Sequence, residues 1–348
     1  MANEIVTTVL GSIEPHALGV TLPHEHLTID LSCVWHPPDY PWQEELVDAP
    51  LSVAMLGDLS LDPYVSRTNL VLDDIDLAVE ELGHFRDEGG RAVVDLTTEG
   101  IEPRPLDLAT ISRRTGLHVV MGCGTYVQAA HPAWVAASSE DEIAYRLEEQ
   151  IRLGFGDTGI RPGIIGEIGT SSPVHEHEWT MLRAVARVQQ STGLAVNIHV
   201  AIFGRRAVEV VDALDRAGAD LSRVIVSHMD ELPDADYHRA VLQRGAVVEF
   251  DTFGSESTFL GSGSREPSDL QRVESLLTLL DEGWAEHLLV SQDVCTRIQL
   301  RRNGGRGYSH ILRAIVPHLR TRGVDETTLH TLLIHNPARL LAHPPVTE

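Results

Sequence analysis

The chain has 348 residues, with 51 Asp and Glu against 27 Lys and Arg, for a net charge of −24. All 27 basic residues are arginine, and no lysine occurs anywhere. Acidity on this scale argues against nucleic acid or an anionic membrane as partner, since both demand a basic surface. The missing lysine excludes Schiff-base chemistry, a phosphate-cradling P-loop lysine and a carboxylated lysine bridging two metals. A hydrophobic fraction of 43% with 22% charged residues is ordinary globular chemistry. Cys33, Cys123 and Cys295 are odd in number and widely spaced, which points to a reduced, cytoplasmic setting. The N-terminus lacks a basic signal-peptide start, and no apolar run approaches the ~20 residues of a membrane helix.

In chain order, short apolar β-branched runs recur at 20–27, 92–97, 118–125, 163–170, 195–200, 224–230, 246–253 and 287–293. Most intervals carry apolar residues at three- and four-residue steps, as at 73–88, 140–153, 176–192, 204–217, 234–243 and 268–282, the period of a helix with one buried face. Gly89, Gly193, Gly218 and Gly245 stand where such helices should stop. Strands alternating with helices pair in parallel through right-handed crossovers. The closed solution is a (β/α)8 TIM barrel of α/β class, read here as a single domain over 1–348. An open doubly wound sheet would place a Gly-rich phosphate turn after the first strand, and none is present. The proline-bearing stretch 32–70 reads as an extended loop after the first strand, over the barrel mouth. The Gly- and Ser-rich stretch 254–267 reads as a lid.

The first strand ends Pro23-His24-Glu25-His26. Alternation sends residues i and i+2 to one face, so His24 and His26 point into the barrel together and Glu25 points away. Glu167 lies on the fourth strand, His199 ends the fifth, His228 the sixth and Asp293 the eighth. In a TIM barrel these ends converge on one mouth. Four histidines and two acids exceed what one tetrahedral zinc takes from protein. They suit two divalent ions ~3.5–4 Å apart sharing a carboxylate and a hydroxide. Imidazole with carboxylate favours zinc, with manganese, cobalt or iron as alternatives. His175-Glu176-His177 repeats the spelling at a loop-to-helix junction, where i and i+2 diverge, so it is set aside.

With these residues in view, the chain resembles the phosphotriesterase-related branch of the amidohydrolase superfamily. The resemblance is carried by Gly19-Val-Thr-Leu-Pro-His-Glu-His-Leu27, Gly163-Ile-Ile-Gly-Glu-Ile-Gly-Thr170, Asn197-Ile-His199, Ser227-His228-Met-Asp230, Gly245-Ala-Val-Val-Glu-Phe-Asp-Thr252, Asn303-Gly-Gly-Arg-Gly-Tyr308 and Asn336-Pro337-Ala338. It implies that His24, His26 and Asp293 hold the more buried metal and His199 and His228 the more exposed one. The better-known members place a carboxylated lysine on the fourth strand. Here Glu167 is the available bridge, as in a glutamate-bridged subgroup, and it sits one residue later. A one-residue shift turns a side chain to the other face, so the fourth strand must bulge or move toward the metals.

The function expected is hydrolysis of a small ester, lactone or related amide through a metal-bridging hydroxide. Asp293 takes the proton of the nucleophile and passes it to the leaving group. The resemblance points to Tyr126 as a contact to the substrate oxygen. Arg297 could grip a substrate carboxylate or phosphate, Asp251 could line the pocket, and Asp230 and Glu231 could orient His228. Cys295 reads as a small buried residue. Two other readings stand beside this one: organophosphate triester hydrolysis, and a non-catalytic metal-bearing protein that binds a small molecule. Relatives with this architecture are often dimers, so a homodimer is allowed.

Overall fold

The computed structural model describes residues 4–346. Eight strands make one sheet: β1 (Thr21–Glu25), β2 (Ala92–Asp95), β3 (His118–Cys123), β4 (Ile164–Thr170), β5 (Val196–Val200), β6 (Val224–Val226), β7 (Val247–Phe250) and β8 (Leu288–Val290). They lie side by side in chain order, every neighbouring pair parallel. The ends meet where the Asp293 N–H donates to the His24 carbonyl at 3.2 Å and the His24 N–H to Ser291 Oγ at 3.1 Å. The barrel expected from the alternation is the fold.

Each strand is followed by helix. The principal ones are α1 (Ile75–Asp87), α2 (Pro105–Thr115), α3 (Glu140–Leu153), α4 (Glu176–Thr192), α5 (Ala207–Arg216), α6 (Ala235–Leu242) and α7 (Asp269–Asp281). The α3 and α7 starts are reciprocal capping boxes, Ser139 with Glu142 and Ser268 with Gln271. The helix α2 opens on a proline and stops at Gly116, whose φ of +74° suits glycine.

Alternation sorts the strand residues into two cores. Ala92, Val94, Val120, Ile164, Ala195 and Leu289 fill the barrel. Val93, Val119, Ile165, Val196, Val248 and Leu288 face the helices. Strict alternation along β4 would put Glu167 with Ile165, on the helix side. The β4–β5 register is irregular between Ile165 and Ile168, and that irregularity returns Glu167 to the barrel mouth. Gly166 in the bulge has φ of +130°, and a Cβ there would come within 2.4 Å of the Asn197 carbonyl oxygen. The peptide bond Gly166–Glu167 is cis. A second irregularity, between Leu22 and Glu25 of β1, falls beside the His24–His26 pair.

The segment 32–70 wraps the mouth through short 3-10 turns and one four-residue helix, Leu56–Leu59, around its own small core of Leu46, Leu59 and Val65. The stretch 254–267 contains a short hairpin, Thr258–Phe259 with Ser264–Arg265. It is tied to the first loop by Thr258 N–H on the Ser60 carbonyl at 2.8 Å and Leu260 N–H on Leu61 at 3.3 Å. No helix of the described residues is long and apolar enough to cross a membrane.

Candidate metal centre

The strand ends bring His24, His26, Glu167, His199, His228 and Asp293 together. Two trios each have their ligand atoms within 4.8 Å: His24, His26 and Asp293, and Glu167, His199 and His228. Glu167 reaches both. One carboxylate oxygen lies 3.6 Å from His26 Nε2; the other lies 3.2 Å from His199 Nδ1 and 3.6 Å from both His24 Nε2 and His228 Nε2. Burial opposes its charge, yet the His199 and His228 imidazoles hold the Glu167 carboxyl well below the usual carboxylate range.

The far ring nitrogens decide which atoms face the centre. His24 Nδ1 lies 2.9 Å from Asp251 and 3.3 Å from Glu249, His26 Nδ1 lies 2.9 Å from Thr97 Oγ1, and His228 Nδ1 lies 3.2 Å from Asp251. A carboxylate can only accept, so Nδ1 of His24 and His228 carries the proton and their Nε2 lone pairs point inward. His26 takes the same orientation against Thr97. His199 instead presents Nδ1, 2.8 Å from His228 Nε2. Among the described residues, His24 Nε2 and Asp293 Oδ1 are buried without any hydrogen-bond partner, although 3.7 Å apart. Two orphaned buried atoms of this kind are costly unless a cation completes them. The donor set fits two divalent ions bridged by Glu167.

Two ligands sit on unusual backbone. His228 has φ of +58° and Asp293 φ of +46°, a region that costs non-glycine residues ~1–3 kcal/mol. Both lie just beyond their strands, and the surroundings hold them there. The Asp251 carboxylate accepts the His228 N–H at 2.8 Å. Glu25 accepts from Ser291 Oγ at 2.8 Å, the Gln292 N–H at 3.0 Å and the Val294 N–H at 2.9 Å, gripping the turn on both sides of Asp293. Glu25 does point away from its histidine neighbours, into this turn.

The sequence profile of the phosphotriesterase family matches residues 4–341. The chain belongs to the phosphotriesterase family. As a member with both metal trios present, this phosphotriesterase-family chain is a metal-dependent hydrolase. N-acetyltaurine hydrolases of Danio rerio and Homo sapiens are each 37% identical to it over 340 residues, covering 97% of both chains. The crystal structure of a resiniferatoxin-binding protein from Rhodobacter sphaeroides shares 39% identity, superposes with a TM-score of 0.95, and covers 97% of this chain and 94% of that one.

Of the remaining expected residues, Tyr126 lies beside the cluster, and Asp230, Glu231 and Arg297 are engaged by the chain itself. Asp251 is fully buried and lies beneath the cluster, where it faces two of the histidines. Asp230 and Glu231 do not touch the His228 ring. Asp230 accepts from the Asp251 and Thr252 N–H groups at 3.3 and 3.1 Å, fixing the backbone that carries Asp251. Both acids pair with the fully buried Arg272, Asp230 at 3.0 Å and Glu231 at 2.8 Å. Arg297 donates to the Val71 carbonyl at 2.7 Å and to Asp73 at 2.8 Å. Its guanidinium is spent on the chain's own loop, and the structure does not bring it to the cluster. Tyr126 packs its ring edge-on against His199 at 4.9 Å. Burial pushes the Tyr126 phenol well above its ordinary pKa, so it remains a donor. Burial does the same to the Cys295 thiol, which leaves it a poor nucleophile.

Sequence reading missed Arg272, Asn197, Ser227 and Glu249. Asn197 donates to Glu249 at 2.8 Å and accepts from Ser227 Oγ at 2.8 Å. The available signal was alternation: Asn197 shares a face with His199, and Glu249 with Asp251. Arg272 carried a weaker one, a charge inside the apolar stripe Val273–Leu276–Leu279.

Proposed function

We propose that this enzyme hydrolyses the C–N bond of a small N-acyl amide. The observation that carries the reading is the full six-ligand set within a chain 37% identical, end to end, to N-acetyltaurine hydrolases. Zinc is the proposed ion, since histidines with carboxylates suit it, and the cytoplasm the proposed setting.

Bound divalent ions supply a lowered water pKa and a Lewis acid at the carbonyl oxygen. The chain supplies the rest. Glu167, 3% exposed at its side chain, is enclosed by the histidines, whereas Asp293 keeps 17%. Asp293 is therefore the acid that can exchange protons at the open side of the cluster. It accepts a proton from the attacking water as the new C–O bond forms. It returns that proton to the departing nitrogen as the C–N bond breaks, giving a carboxylic acid and an amine. Tyr126, fixed against His199, offers its hydroxyl to the substrate oxygen.

A panel of amides, esters, lactones and phosphate triesters scored by kcat/KM tests this on protein with its metal content measured. The expected result is about two metals per chain and highest kcat/KM on an N-acyl amide. A triester at the top would favour the organophosphate reading, and no turnover at full metal content the non-catalytic one.

A further inference from the structure

The space in front of Asp293 has two parts. A small inner cavity of about 30 Å³ touches Asp293 itself and is bordered by Ser257 and Glu266. An outer groove of about 500 Å³ runs between the first-strand loop and the hairpin of the seventh. Tyr64 and Ile202 line both, so the two spaces adjoin across those side chains. The inner cavity is polar and holds little more than a water-sized group; the groove is large enough for the rest of a substrate.

The walls of the groove are mostly apolar: Pro37, Pro38, Tyr64, Ile202, Phe203 and Phe259. The charges facing the two spaces are carboxyl groups, Asp39 and Asp62 outside, Glu266 and Asp293 inside. No arginine lines either space among the described residues, and the chain has no lysine to supply. His36 is the groove's basic side chain, and Asp62 holds it at 3.1 Å. Arg265 precedes Glu266 but alternates outward into solvent. Arg272 lies behind Glu266, committed to Asp230, Glu231 and the carbonyls of Ser255 and Pro267. A sulfonate or carboxylate in the groove would face Asp39 and Asp62 with no arginine or lysine to pair with it.

We infer that the groove receives the amine half of the substrate, that this half is uncharged and apolar at its far end, and that an anionic amine half is rejected. The inference rests on the N-acyl amide reading above and narrows it: the preferred substrate differs from N-acetyltaurine in the charge of its tail. The apolar end lies against Phe203 and Phe259, and the scissile bond sits at the Asp293 end.

The test uses a matched pair on the metal-loaded full chain. N-acetyltaurine is compared with N-(3,3-dimethylbutyl)acetamide, in which a tert-butyl group of similar size replaces the sulfonate. The corresponding acetate esters, 2-sulfoethyl acetate and 3,3-dimethylbutyl acetate, form a second pair. The expected kcat/KM is at least tenfold higher for the tert-butyl compound in each pair. Phe259→Arg, which adds a cation at the groove, is expected to shift that ratio at least tenfold toward the sulfonate. Equal or better use of the sulfonate by the unmodified chain overturns the inference, as does a ratio that a folded Phe259→Arg leaves unmoved. If esters turn over and amides do not, the amide reading falls while the ester ratio still decides the charge preference.

Discussion

His24 Nδ1 lies 2.9 Å from one carboxylate oxygen of Asp251, and His228 Nδ1 lies 3.2 Å from the other. One buried acid thus sets the ring orientation of a ligand in each metal trio. Burial opposes its charge, yet the His228 and His24 imidazoles hold its carboxyl well below the usual range. Coupling of the two halves through one shared acid gives the first prediction. Asp251→Asn keeps the shape but offers one acceptor oxygen where two imidazoles need one each. Affinity for both ions is expected to fall about 10- to 100-fold, read by chelator competition. Loss at only one site would show that the shared acid does not couple them.

Glu25 gives the second. Its carboxyl group faces Ser291, Gln292 and Val294 around the left-handed Asp293. Burial pushes its pKa up to about 8, against the pull of the Val294 N–H and the Ser291 hydroxyl. Glu25→Leu strands two buried N–H groups, at about 1–3 kcal/mol each, and frees the Asp293 turn. Tm and kcat are expected to fall together, with metal lost first from the His24–His26 half. Glu25→Gln keeps one acceptor oxygen for N–H groups that Glu25 takes on two, and is expected to recover kcat in part. A glutamine variant as damaged as the leucine one would contradict this.

The barrel and its ligands were legible because both depend on period. Apolar runs recur with the chain, and a TIM barrel sends every strand end to one mouth, so His24, His26, His199, His228 and Asp293 could be placed without coordinates. The position of Glu167 was legible only as a conflict. Its spacing put it on the wrong face, and a register irregularity between Ile165 and Ile168 resolves the clash. Asp251, Asp230 and Arg297 were misplaced because a charged residue at a strand end has two possible employers, a substrate or its own chain, and sequence does not say which. Asp251 went to two imidazoles, Asp230 to backbone N–H groups, and Arg297 to the 71–73 loop. Long-range polar pairing of this kind carries no local pattern.

The third prediction concerns the buried Glu231. Burial, with Glu266 close by, pushes its pKa up to about 8, against the pull of Arg272. A carboxyl group raised in the folded state binds its proton more tightly there than in the unfolded chain. Its contribution is therefore fully present below the ordinary carboxylate range, ~4.3, and is lost as pH rises through about 8. Glu231→Gln keeps the contacts to Thr252 and Arg272 without titrating. The Tm difference between variant and unmodified chain is expected to move in favour of glutamine between pH 5 and pH 8.5. A difference that stays flat across that window would show that Glu231 keeps an ordinary pKa.

The last prediction returns to the bridge. Where a carboxylated lysine joins two metals, the carbamate forms from carbon dioxide, and assembly depends on it. This chain has no lysine, and Glu167 already places its two carboxylate oxygens toward His26 on one side and His199 on the other. Metal uptake in bicarbonate-free buffer is therefore expected to match uptake with bicarbonate in both rate and final stoichiometry, about two ions per chain. Glu167→Gln removes the charge that both ions share. It is expected to lower the count to about one or less while leaving the β4 bulge intact, since Gly166 and the β5 pairing shape that bulge. Circular dichroism of the metal-free variant checks the fold, and elemental analysis checks the count. A stoichiometry that stays at two in Glu167→Gln would mean that another carboxylate joins the ions, and Asp293, 3.2 Å from His26 Nε2 and 3.9 Å from His228 Nδ1, is then the first acid to test.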